Sequence, residues 1–325
     1  MRIAVLSDVH GNLAALEAIL RDADRNRVEQ YWFLGDLIGY GPNAWECYDR
    51  LMKLRNEKLL PDSAWLAGNQ DLIFSHKLID VFINPDAKWT HNCTRDEIER
   101  KSQEEKDGFY KFLARRPFVH ESPVPGIWLM HGTAYRKDQT KKLDKEACLK
   151  GINSYIQVAF EDSWKIEESW ETMSLLSKSP KNKSSSPTLI LGGHTHFPLL
   201  WRRQDTNGWE ADPPDKNPPP IDKDCPRCHG RPGSCPGRRW QQPIQLDHRP
   251  TFINPGSVGQ PRDECPMPAY LLLNLEYPLA VSFQRVYYNV NETIDGLNKF
   301  QYMSRSEEHI QSLAQWLNNG WKPES

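Results

Sequence analysis

The stretch Arg2-Ile3-Ala4-Val5-Leu6-Ser7-Asp8-Val9-His10-Gly11-Asn12 decides how the rest of the chain is read. Four apolar residues at the start read as a strand, and a carboxylate and an imidazole follow it, two positions apart. Side chains alternate faces along an extended chain, so Asp8 and His10 are expected to point the same way. The pattern recurs far downstream, where an apolar run leads into Gly193-His194-Thr195-His196, again pairing two side chains on one side. Both pairs read as pre-aimed metal ligands.

Three further segments lie between these ends, each just after a hydrophobic run: Gly35-Asp36, Gly68-Asn69 and His131-Gly132. Taken singly, His131 reads equally as a hydrogen-bonded structural histidine, and a Gly-Asp or Gly-Asn pair as turn chemistry. Five such segments in one order read as a site. Together they offer the carboxylates of Asp8 and Asp36, the amide oxygen of Asn69, and the imidazoles of His10, His131, His194 and His196. Hard oxygens with imidazole nitrogens and no thiolate suit Mn, Fe or Zn, and the set is large enough for two ions if one carboxylate is shared. Asp36 is the natural bridge.

The series Asp8-x-His10, Gly35-Asp36, Gly68-Asn69-Gln70-Asp71, His131 and Gly193-His194-x-His196 resembles the calcineurin-like metallophosphoesterase superfamily. The segments 7–12, 35–42, Trp89-Thr90 and 254–263 resemble its bacterial phosphodiesterase or phosphatase branch. The resemblance covers most of the chain outside two insertions. It implies that Asp8, His10, Asp36 and His196 hold one ion and that Asp36, Asn69, His131 and His194 hold the other. It further implies in-line attack on phosphorus by a hydroxide between the ions, with Asn69, Gln70 and Asp71 as the catalytic segment. Two adjacent cations lower the pKa of bound water and neutralise phosphoryl oxygens.

Position 70 departs from the family pattern, which commonly has His there. An amide donates a hydrogen bond but delivers no proton, so Gln70 weakens the case for difficult phosphomonoesters. Asp71 is expected to orient Gln70, and His91 or His76 is a surrogate acid, or else an exposed polar helix residue.

The bulk properties agree with an enzyme. The 325 residues, 38% hydrophobic, suffice for a large core. A formal charge of -2 gives no long-range field for recruiting nucleic acid or an acidic membrane, so nucleic acid stays open as a partner only through local contacts. No run reaches the ~18 apolar residues of a membrane span, and the amino terminus enters a strand without a leader, so the expected location is cytoplasmic.

The rhythm along the chain is α/β: strands over 2–7, 31–34 and 63–67, helices from 12 and 43, and helical stretches through 72–113. Further strands are expected at 126–130, 188–191, 199–202, 250–253, 269–275 and 279–288, the later ones antiparallel, with closing helices over 292–302 and 304–318. Two mixed β-sheets packed as a sandwich and flanked by helices, as in the resembled family, accommodate the pattern within a single domain over 1–325. Open α/β sheets bind ligands beyond the carboxyl ends of their strands, which is where these ligand residues fall.

Two stretches read as insertions. The first, 136–187, ends in a Ser/Lys-rich run and carries Trp164, Ile166, Trp170 and Met173 on one helical face. The second, 203–249, is Pro-rich and holds Cys225, Cys228 and Cys235. That spacing resembles half of a zinc knuckle, with His229, His248 or Cys265 as fourth ligand for a structural Zn; a redox pair or plain surface thiols are the alternatives. Arg238, Arg239 and Trp240 beside it fit a base-stacking surface or a solvated loop.

The leading reading is a binuclear metal-dependent phosphodiesterase or phosphatase on small-molecule or nucleotide phosphoesters. A protein Ser/Thr phosphatase and a catalytically weakened metal-binding interaction module are the alternatives.

Overall fold

The computed structural model describes residues 1–76, 84–133, 163–178, 185–204, 208–211, 242–263, 265–300 and 307–320. Alternation along β1 (Arg2–Leu6) shows how the layers are organised: Ile3 and Val5 face one core while Ala4 and Leu6 face another. The first sheet holds β1 between β2 (Gln30–Phe33) and β10 (Ala269–Asn274), and continues from β10 to β11 (Ala280–Arg285) and β8 (Ile244–Gln245). β1 runs parallel to β2, with Leu6 opposite Phe33, and antiparallel to β10, with Arg2 opposite Asn274.

The second sheet runs, side by side, through β3 (Val119–Glu121), β4 (Ile127–Met130), β5 (Leu189–Gly192), β9 (Thr251–Pro255), β6 (Pro198–Gln204) and β7 (Gly208–Ala211). β4, β5 and β9 are parallel, whereas β6 is antiparallel to β9. Both sheets are therefore mixed.

Between the sheets lies a core of alternate residues from each: Ile3, Val5, Leu271 and Phe283 on one side, Leu129, Leu191, Leu200 and Ile253 on the other. Burying each such side chain stabilises the fold by about 1.5–3 kcal/mol. The outer face of the first sheet is covered by helices, whose apolar stripes contribute Leu16 and Ile19 of α1 (Leu13–Arg25), Cys47 and Leu51 of α2 (Ala44–Asn56), and Trp89 of α4 (Pro85–Ile98). Phe109 and Leu113 of α5 (Gln103–Ala114), Leu297 of α7 (Val290–Phe300) and Leu313 of α8 (Glu307–Asn319) complete this core.

On the opposite side, α6 (Ser163–Ser177) lays Ile166, Trp170 and Met173 against Trp128, Ile190, Trp201 and Trp209. The described part of the first insertion thus packs against the second sheet. Its residues 136–162 and 179–184, and 205–207 and 212–241 of the second insertion, lie outside the described residues.

Two expectations need correcting. Residues 63–67 do not form a strand: Pro61 leads into a 3-10 turn at Asp62–Ala64, and pairing beyond it is confined to a bridge from Trp65 to Phe33. The strand at 250–253 is likewise not purely antiparallel, because β9 sits between a parallel and an antiparallel neighbour.

Candidate metal centre

Asp8, Asp36, His131 and His194 all follow the carboxyl ends of strands, and the short helix α3 (Asn69–Ser75) begins with Asn69. The loops after β1, β2, β4 and β5 therefore converge at one edge of the sandwich. Alternation along an extended strand is not what aims the two ligand pairs. β1 ends at Leu6 and β5 at Gly192, and Asp8, His10, Asp36, His194 and His196 have φ of 56°, 48°, 58°, 74° and 64°. These are left-handed backbones, sparsely populated by residues with a Cβ and costing about 1–3 kcal/mol each. Tight loops hold them there.

Hydrogen bonds between segments fix those loops. Asp8 N and His10 N donate to the carbonyls of Gly35 and Asp36, both at 2.9 Å, lacing the first loop to the second. The Asp71 carboxylate accepts from Leu37 N at 2.9 Å, Ile38 N at 3.0 Å and Gly68 N at 3.0 Å, so it ties the Asp36 loop to the start of α3. Asp71 thus orders backbone. No bond from it to the Gln70 side chain is seen among the described residues.

Segment 254–260 is legible in the sequence only as part of the resemblance, and its role is structural support for the site. Asn254 Nδ2 donates to Gly193 O and to Thr195 Oγ1, both at 2.8 Å. Ser257 Oγ donates to Asp8 O at 3.0 Å, and Gly259 N to the same carbonyl at 2.9 Å. Gln260 O accepts from His196 Nδ1. The sequence signal is a polar cluster, Asn254, Ser257 and Gln260, at the end of an apolar strand.

Two groups of side chains gather at this edge, Asp8 with His10 and His196, and Asp36 with His131 and His194, each with ligand atoms within 4.8 Å of one another. All six are buried. Asp36 lies between the groups: Oδ2 is 3.7 Å from His10 Nε2 and 3.4 Å from His131 Nε2, while Oδ1 accepts from Gln70 N at 2.8 Å. Asn69 Oδ1 is 3.2 Å from His131 Nε2, which brings the seventh residue to the second group.

The donor set fits divalent cations. Nδ1 of His10 lies 2.8 Å from Ile38 O and Nδ1 of His131 2.8 Å from Leu34 O, and His196 makes the equivalent contact to Gln260 O. A ring that donates from Nδ1 and is neutral presents a lone pair at Nε2. Two such lone pairs, on His10 and His196, face each other at 3.1 Å in a space shut off from water. That arrangement is repulsive unless a cation or proton lies between them.

The electrostatics agree. Burial would raise Asp8 and Asp36, but the surrounding imidazoles outweigh it and hold both carboxyls below the usual range. Burial pushes His10 down to about 4 and His194 down to about 3, keeping these rings neutral and able to coordinate. His131 goes the other way. Burial opposes its charge, yet the Asp36 carboxylate beside it raises it to about 9.

Gln70 and His91 sit next to this centre. Gln70 is the second residue of α3 and is buried, its Oε1 accepting no hydrogen bond among the described residues. His91 is fully buried rather than exposed, its ring edge-on to Phe74 at 5.5 Å and its two nitrogens without hydrogen-bond partners among the described residues. Phe74 follows Gln70 by one helical turn, so His91 packs against the α3 face that carries Gln70. Burial brings His91 down to about 3. His76 closes α3 instead, with Nδ1 3.0 Å from Leu72 O. Cys225, Cys228 and Cys235, together with Arg238, Arg239 and Trp240, lie outside the described residues, and the side chain of Cys265 is a buried thiol.

Residues 1–198 match the model of the calcineurin-like phosphoesterase family. The chain belongs to that family. Over 299 residues it is 24% identical to an uncharacterized protein of Methanocaldococcus jannaschii, spanning 91% of this chain and 92% of that one. The crystal structure of a metallophosphoesterase from Sphaerobacter thermophilus superposes with a TM-score of 0.62 at 25% identity, covering 98% of this chain and 99% of that one. A hypothetical protein from Pyrococcus horikoshii shares the fold, with a TM-score of 0.59 at 17% identity over 99% of each chain. The family is metal-dependent, and the two groups of side chains are its candidate metal sites here.

Proposed function

We propose that this chain is a binuclear metal-dependent phosphoesterase acting on small or nucleotide phosphoesters, with diesters favoured over monoesters of poor leaving groups. Asp8, His10, Asp36 and His196 would hold one ion, and Asp36, Asn69, His131 and His194 the other. The observation that carries the reading is the position of Asp36 Oδ2, within 3.7 Å of His10 Nε2 and 3.4 Å of His131 Nε2, one residue of each group. Divalent ions in these groups would supply an activated water and neutralise phosphoryl oxygens. The chain's own residues do the rest. Backbone bonds from Gln70 N and to Asp71 fix the Asp36 carboxylate, the Nδ1 contacts fix the imidazoles of His10, His131 and His196, and burial excludes bulk water.

Position 70 favours diesters. The Gln70 amide can hydrogen-bond a leaving oxygen without protonating it, and general acid help matters least when the leaving group is good. Hydrolysis of an aryl phosphodiester and an aryl phosphomonoester, each with Mn, Fe or Zn and with excess chelator, tests the reading. Chelator-sensitive turnover, faster on the diester, is expected. Turnover of neither ester with any ion would leave a metal-binding interaction module, and turnover indifferent to chelator would end the metal reading altogether.

A further inference from the structure

Tyr40 stands between two glycines, Gly39 and Gly41, yet it is itself held at φ 54°, in the left-handed region that favours glycine. Strain of that kind persists only where the surroundings over-determine it, and here they do. Tyr40 N donates to Thr90 Oγ1 at 2.9 Å, and Asn84 Nδ2 donates to Tyr40 Oη at 3.2 Å. The ring meets His10 edge-on, with centroids 4.8 Å apart and planes at 85°. It meets Trp316 of α8 in the same way, at 5.6 Å and 86°. One strained side chain thus touches both a ligand of the first metal group and the last described helix.

That helix is fastened to the same support. Buried Asp86, near the start of α4, accepts from Ser312 Oγ at 2.8 Å and lies 2.7 Å from His309 Nδ1. Asn84, which caps α4, and Thr90 within it are the residues that hold Tyr40, so α4 sets Tyr40 and α8 together. The contact of His10 Nδ1 with Ile38 O decides which ring nitrogen faces the metal group. A contact at one nitrogen leaves the ring able to tip about the line through it, and a neighbour packed on its flank restricts that motion. We propose that Tyr40 is a positioning residue for His10, set in turn by Trp316, so that occupancy of the first metal group is coupled to docking of α8. This rests on the metal-centre reading above. Such coupling is reciprocal: docking of α8 raises metal affinity, and bound metal stabilises docked α8 by the same factor.

Calorimetric titration of Mn(II) into the metal-free full chain tests it. Tyr40→Ala is expected to weaken the ion of the first group on the order of 10–100-fold, the range for losing a support of a ligating imidazole, with the second ion retained. Trp316→Ala should weaken the same ion about 2–10-fold, the scale of an aromatic edge contact, and Trp316→Phe should restore it. Unchanged affinity for both ions in Tyr40→Ala overturns the proposal and leaves the metal centre intact. Equal weakening of both ions, or no recovery in Trp316→Phe, overturns it as well, because general destabilisation then accounts for the loss. An unsubstituted chain that takes up no ion overturns both readings. If the variants do not fold, hydrogen exchange of the unsubstituted chain decides. Mn(II) should slow the amides of α8 more than those of α6, which packs on the second sheet away from Tyr40, and equal slowing of the two helices counts against the proposal.

Discussion

Nε2 of His10 and Nε2 of His196 lie 3.1 Å apart, although 186 residues separate them in the chain. Each ring is locked from its other nitrogen, His10 by Ile38 O and His196 by Gln260 O, so neither can turn away. The fold thus holds two lone pairs in contact, and coordination of a shared cation would relieve the repulsion. Asp36 stands between this pair and the second group of ligands.

Asp36→Ala should empty both sites if, as proposed, its carboxylate serves each, whereas His196→Ala should lose one ion and keep the other. Elemental analysis of the purified variants checks this. An Asp36→Ala protein with the metal content of the unsubstituted chain would refute the bridging assignment.

Metal loading should release at least one proton per chain at about pH 7.5, that of His131, with any further proton coming from activated water. His131, raised to about 9, is charged in the metal-free protein at that pH and must be neutral to coordinate, while His10 and His194, at about 4 and about 3, are neutral already. Metal affinity therefore rises with pH up to about 9 and levels off above it. Calorimetry in buffers of different ionisation enthalpy reads the proton count, and an absence of proton exchange at that pH contradicts the assignment of His131.

Gly68→Ala should cripple the centre although Gly68 is not a ligand. A Cβ there would overlap Asp36 Oδ1 and lie 2.5 Å from its Cγ, so the carboxylate must move. Displacing a group of this kind costs roughly 10–100-fold in metal affinity or activity. Equilibrium metal titration of the variant would show it, and unchanged affinity would mean that the loop yields without disturbing Asp36.

Gln70→His should raise turnover of alkyl phosphomonoesters by about 10²-fold or more, the lower range of general acid catalysis, with a smaller effect on aryl diesters. Steady-state rates on both classes measure it. Identical rates in the variant and the unsubstituted chain would show that position 70 does not govern leaving-group departure.

Much of the site is readable in the sequence because its chemistry is local. Asp8, His10, Asp36, Asn69, His131, His194 and His196 each follow an apolar run, and the residue types themselves name a metal-binding chemistry. What aims them is not local. Strand alternation predicts the shared direction of Asp8 with His10 and of His194 with His196, but the strands stop short and left-handed loops take over. Hydrogen bonds to distant segments choose such a backbone, and no local pattern encodes them. The burial of His91 is hidden for a related reason: a histidine amid polar helical residues gives no sign that a neighbouring helix will cover it.

By itself the sequence determined the α/β class, the order of the ligand segments and the departure at position 70, since apolar periodicity and residue chemistry act over a few neighbouring residues. Only the tertiary structure decided that Asp36 stands between the two groups and that Asn254 and Ser257 hold the ligand loops. Each of these depends on segments far apart in the chain being brought into contact by the packing of two sheets, and the energy that fixes them comes from that packing.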